Sequence, residues 1–149
     1  MEGYIVNKKL LKIIIPALLL IGIILFCVIL YYGYSPKSFD DLLGIDEANI
    51  TKVSMRNGNN GSYVETTDKE KIKEIINLVN DRYYQKSSNQ RKRVGYSYYY
   101  DFYSGDKEII RITGHGDYVY VNGTYYDVSK SISIDSLTNW FNSLPVNAL

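Results

Sequence analysis

Apolar and polar positions follow three rhythms along this chain. From Ile13 to Leu30, eighteen consecutive residues carry no charge and no polar group beyond the Cys27 thiol. As a helix this run is about 27 Å long, close to the ~30 Å hydrocarbon core of a bilayer. Tyr31, Tyr32 and Tyr34 follow as an interfacial aromatic belt. The pattern predicts a transmembrane helix over 13–32, a cytoplasmic segment over 1–12 and a linker over 33–49. Pro16 is expected in the first helical turns, where a missing N–H costs least.

The second rhythm has a period near 3.6. Ile72, Ile75, Ile76 and Val79 form one stripe, preceded by Thr67-Asp68-Lys69-Glu70, which reads as a capping box with Thr67 as the cap. Leu137, Trp140, Phe141 and Leu144 repeat the stripe, with Ser133 or Asp135 as cap and Pro145 after the end.

The third rhythm has a period of two. Ile50 to Met55 and Ser62 to Thr66 read as a hairpin across an Asn/Gly turn. Gln85 to Arg93 breaks every periodicity and reads as a flexible basic loop. Val94 to Tyr103 places Tyr96, Tyr98, Tyr100 and Phe102 on one face and Ser97, Tyr99, Asp101 and Tyr103 on the other. Glu108–Thr113, Asp117–Val121 and Thr124–Val128 complete the strands, the last two joined by Asn122-Gly123. The order is β-β-α-β-β-β-β-α. It predicts an α+β, two-layer domain over 50–149, an antiparallel sheet of about six strands with two amphipathic helices on one face.

Charge sets the orientation. Lys8, Lys9 and Lys12 precede the apolar run, and Lys37 is the nearest cation after it. The cationic flank stays cytoplasmic. The expected location is therefore the cell membrane, single-pass, with the N-terminus inside and the domain outside. The run is too long for a cleaved signal and lacks an A-x-A-like site. Phe26 before Cys27 argues against a lipoprotein signal, and the missing acid argues against a pilin-like helix. Beyond Tyr34 the chain holds fourteen Lys and Arg against fifteen Asp and Glu, so no global field points to nucleic acid. No cysteine follows Cys27, which fits a Gram-positive surface better than a disulfide-stapled secreted domain. Three sequons, at Asn49, Asn60 and Asn122, are read as chance in an Asn-, Ser- and Thr-rich chain.

Candidate chemistry is sparse. His115, the single histidine, reads as a solvated turn residue. No metal site of the usual N/S ligands can be assembled, and no serine elbow or phosphate loop is present. No cofactor is expected. Asp101, Asp117 and Asp127 sit in or beside strands; Asp101 and Asp127, set among tyrosines, are the candidates for glycosidic chemistry, and a solvated sheet face is the favoured reading. The acids between Asp40 and Glu47 read as a solvated stalk. Twelve of the sixteen tyrosines follow Tyr34. Tyrosine is both a strand former and a low-entropy contact residue. The expected partner surface is Tyr99, Asp101 and Tyr103 with the Arg91, Lys92 and Arg93 cluster.

The helix TTDKEKIKEIINLV, the strands VGYSYYYDFYSGDKEIIRI and YVYVNGTYYDV, and the terminal helix together resemble small extracytoplasmic α+β domains of unknown function in Gram-positive bacteria. These stand behind a single membrane anchor or a lipoprotein signal, and similar units cap some membrane sensors. The likeness covers about 50–144 and rests on element order and Tyr-rich strands, with no catalytic motif. The anchor, the orientation, the aromatic strands and the lack of a catalytic constellation lead to the expectation of a non-enzymatic binding or sensing domain for an envelope protein, peptide or wall polymer. The alternatives are a wall-modifying enzyme using the sheet carboxylates and a structural subunit of an envelope assembly.

Overall fold

A computed structural model describes residues 8–93 and 95–146. Expectations for 1–7, for Val94 and for 147–149 lie outside the described residues. The chain divides into two compact units, 1–35 and 36–149.

The first unit is helix α1, Lys8–Tyr34. Over Lys9–Tyr34 it is long and apolar enough to cross a membrane. The helix starts ahead of the apolar run, so Pro16 lies in its interior and not in its first turns. A proline there leaves the carbonyl four residues back without its helical donor.

The second unit is α+β. Helix α2 (Phe39–Leu43) opens it, followed by β1 (Lys52–Asn57), β2 (Tyr63–Thr66), α3 (Lys69–Asn80), β3 (Tyr84–Lys86), β4 (Tyr98–Ser104), β5 (Lys107–Thr113), β6 (Gly116–Val121), β7 (Thr124–Ile132) and α4 (Ile134–Asn142). The seven strands form one antiparallel sheet in the order β2-β1-β4-β5-β6-β7-β3. The seventh strand is β3. Its three residues lack alternation, and its pairing with β7 is set by that neighbour.

The helical stripes behave as their spacing predicts. Ile72, Ile75, Ile76 and Val79 are buried, as are Leu137, Trp140 and Phe141. They meet Val53, Met55, Tyr98, Tyr100, Phe102, Ile110, Ile112 and Val119 in one core. The Trp140 indole N–H donates to the Lys71 carbonyl at 2.8 Å and locks the two helices together. The cap of α3 is Asp68, one residue later than the expected Thr67. Its carboxylate accepts from the N–H groups of Glu70 and Lys71, which suits the positive helix end better than a hydroxyl. Ser133 caps α4.

The expected linker is only partly a linker. From Pro36 onward it belongs to the domain. Lys37 and Tyr84 exchange backbone hydrogen bonds of 2.9 and 2.8 Å, covering the β3 edge of the sheet. Phe39 is fully buried, edge-on to Phe102 at 5.4 Å. Ser38 and Asp41 form a capping box on α2. A stalk of solvated acids would not bury Phe39 and Leu43; the apolar pair pulls the segment into the core.

The Asn122-Gly123 turn forms as its composition demands. Both residues take positive φ, 44° and 92°, which matches the twist of a two-residue hairpin.

Candidate functional site

Residues opposite each other in an antiparallel pair point to the same face. The register therefore places Lys52, Arg56, Tyr63, Tyr99, Asp101, Tyr103, Arg111, Tyr118, Tyr120, Tyr125 and Asp127 on the face away from the helices. This outer face is one tyrosine field with two unlike halves.

On the β2-β1-β4-β5 half, most charges meet partners within the chain, the buried Nε of Arg56 being an exception. Asp101 is buried, and Arg111 donates to both its oxygens at 2.6 and 2.8 Å. Arg111 also reaches Glu108 at 3.2 Å and lies 5.0 Å from the Tyr99 ring centroid. The flanking carboxylates push the guanidinium further up from its ordinary range, with the Asp101 hydrogen bond as the main cause. Lys52 sits over Tyr103 at 4.4 Å. The Tyr63 hydroxyl donates to Glu65 at 2.5 Å. Of the expected partner surface, Tyr99, Asp101 and Tyr103 are thus already occupied by the protein itself.

On the β6-β7 half the sheet opens. β5 and β6 pair only at Ile112–Val121 and Thr113–Tyr120. Beyond those two pairs the connection turns through Gly114 and Gly116, with φ of 105° and 75°. A cleft of about 710 Å³ lies there, lined among others by Arg93, Tyr96, His115, Tyr118, Tyr120 and Tyr125. That volume falls within the ~300–1,000 Å³ typical of ligand sites.

The opposite wall is the segment after β3, expected as a flexible loop. It is tied down instead. Ser87 N–H donates to the Tyr125 carbonyl at 2.9 Å. The Gln90 side-chain amide donates to that carbonyl at 2.9 Å and accepts from the Tyr125 N–H at 2.9 Å, so it imitates one more strand residue. Arg93 N–H donates to the Tyr125 hydroxyl at 2.8 Å. Its guanidinium lies 3.8 Å from the Tyr118 centroid and 5.4 Å from that of Tyr125.

Of the basic cluster, Arg93 and Lys92 line the cleft, and Arg91 is exposed beside it. Tyr96 leaves the strand face assigned to it and packs on Tyr99 at 5.5 Å. His115 is half-buried, not solvated, and its Nδ1 is buried without a partner. Sequence reasoning missed the cleft because β5 and β6 read as an ordinary hairpin. The signal available was Gly114-His115-Gly116, which marks a wide connection and not a tight turn. Among the described residues no group of three His, Cys, Asp or Glu side chains is placed to hold a metal. No protein-family model, curated protein or solved structure matches the chain.

Proposed function

We propose that this is a single-pass, membrane-anchored binding module. Its N-terminus is cytoplasmic, and its α+β domain faces the cell exterior and captures an envelope component in the β6-β7 cleft. The apolar length of α1 supports the anchor, and the lysines before it support the orientation. The observation that carries the binding reading is the cleft itself, aromatic-floored, with a guanidinium that no acid pairs with among the described residues.

A wall-modifying enzyme is less well supported. Asp101 is consumed by Arg111. Asp127 stands three strands away on β7. Three spacings of ~4.8 Å put the two acids about 14 Å apart, beyond the ~5–9.5 Å that glycosidase carboxylate pairs need.

The test is photo-crosslinking in intact cells from position 120, in the cleft, and from position 103, on the closed half. Capture from 120 and not from 103 is the expected result. Equal labelling from both positions, or none from 120, overturns the assignment of the site. Orientation is tested by adding protease to intact cells, where release of the domain is expected and full protection until lysis would refute it.

A further inference from the structure

The cleft presents cations that the protein leaves without an acid. Among the described residues, no carboxylate or carbonyl accepts from the Arg93 guanidinium, whereas Arg82 and Arg111 close ion pairs within the domain. Arg56 and Arg91 also lack an ion pair among the described residues, but neither lines the cleft. Lys92 adds a second cation at the rim. The acid in the lining, Asp117, is engaged by the Ser131 hydroxyl. A cleft with two cations and one acid that is already engaged is complementary to an anionic ligand.

The aromatic surfaces narrow the class. Tyr118 and Tyr120 are 37% and 38% exposed, and Tyr125, beneath them, packs on Tyr120 at 4.7 Å. Flat phenol faces with hydroxyl rims suit a sugar ring, whose C–H face is apolar and whose edge is polar. The Arg93 guanidinium lies over the Tyr118 ring, 3.8 Å from its centroid, and presents a planar N–H fork. That fork matches a planar carboxylate in two parallel hydrogen bonds. A phosphate usually draws a nest of backbone N–H groups or several cations, and this cleft offers one guanidinium and one lysine at its rim.

We propose, building on the binding-module reading, that the cleft takes a carboxylated saccharide. Its sugar ring lies on Tyr120, and its carboxylate is held by Arg93, which Tyr118 supports from beneath. This is recognition only, with no bond made or broken.

The test uses the full chain in nanodiscs and calorimetric titration. The probes are a trigalacturonate, its fully methyl-esterified form, a glycerol-phosphate oligomer and a tripeptide with a free C-terminus. The acid form is expected to bind, and the ester about tenfold more weakly or worse, since a charge-assisted bidentate pair is lost. Arg93→Gln is expected to lose about tenfold for the acid and little for the ester, with Arg93→Lys in between. Retained far-UV circular dichroism shows that the variants fold. Equal binding of acid and ester, an Arg93→Gln chain that binds like the parent, tighter binding of the glycerol-phosphate or peptide, or no binding of the acid at millimolar concentration each overturns the proposal. Cleft-specific capture from position 120 in cells, with the acid failing here, removes the ligand class and leaves the module standing. Failure of both removes both.

Discussion

The two halves of the outer face are built from the same residue types and differ in how far the chain closes its own contacts. On the β2-β1-β4-β5 half, Asp101 faces Arg111 and Ser54 in register, and Arg56 faces Tyr63 and Tyr99. Continuous pairing sets opposite charges side by side, and the chain closes its own contacts; the buried Nε of Arg56 is the exception. On the β6-β7 half, β5 and β6 share two register pairs, and among the described residues no acid pairs with Arg93. An exposed tyrosine or arginine is therefore weak information by itself. What separates a structural face from a binding face is whether the chain has supplied the partner.

The largest effect expected from breaking this contrast is at Arg111. Its removal strands a buried carboxylate, which in dry interiors costs ~3–5 kcal/mol. The Arg111 side is 48% exposed, so water can reach the site, and Arg111→Ala is expected to cost about 2–3 kcal/mol in denaturant unfolding. Saccharide binding by the folded fraction should stay unchanged. A stability change under ~0.5 kcal/mol would show the pair to be no more than a surface ion pair.

The halves meet at Gly58. Its N–H donates to the Ser97 carbonyl at 2.8 Å. A Cβ there would lie 2.2 Å from the Tyr96 carbonyl oxygen, a backbone atom that cannot rotate away. Gly58→Ala must shift the 95–97 segment, which walls the cleft. The expected result is a loss of about 1–3 kcal/mol by overpacking, together with weaker saccharide binding. Loss of stability with intact binding would show that the halves are independent. Arg93→Gln reads the other side of the comparison. Its guanidinium closes no ion pair in the domain, so thermal unfolding is expected to move by no more than ~0.5 kcal/mol while binding falls.

Much of this fold was legible because periodicity is a local property. The stripes from Ile72 to Val79 and from Leu137 to Leu144, the Asn122-Gly123 turn, and the alternation from Tyr98 to Tyr103 each follow from spacing alone. What was not legible depends on partners distant in sequence. Tyr84–Lys86 is a strand because β7 offers an edge, and Phe39 is buried because Phe102 offers a ring. Gln90 completes the sheet with a side chain, which no backbone periodicity can announce. Of the residues expected at a partner surface, Arg93 and Lys92 line the cleft, whereas Asp101 is paired with Arg111, ten residues on, a contact that only the β4–β5 register brings about.

The smallest effect lies in the proton at Tyr63. Its phenol is pushed up to about 12, chiefly by burial and then by the Glu65 carboxylate that accepts its hydrogen bond. The ordinary value is 10.0. Between those two values the folded chain holds a proton that the unfolded chain has released. The contribution to stability is then complete below pH 10.0 and is lost as pH rises through about 12. Glu65→Gln removes the neighbouring negative charge, so the phenol should ionise earlier and the window should narrow. Tyrosine-labelled NMR titration, with Tyr63→Phe to assign the signal, reads this directly. The Arg93 contacts lie across the sheet on β6 and β7, so saccharide affinity at neutral pH is expected to be identical in Glu65→Gln and parent chains. A Tyr63 that ionises at its ordinary value would mean that the Tyr63–Glu65 pair is open in solution. The closed half would then be less closed than its neighbour makes it look, and the contrast would rest on Asp101 and Arg111 alone.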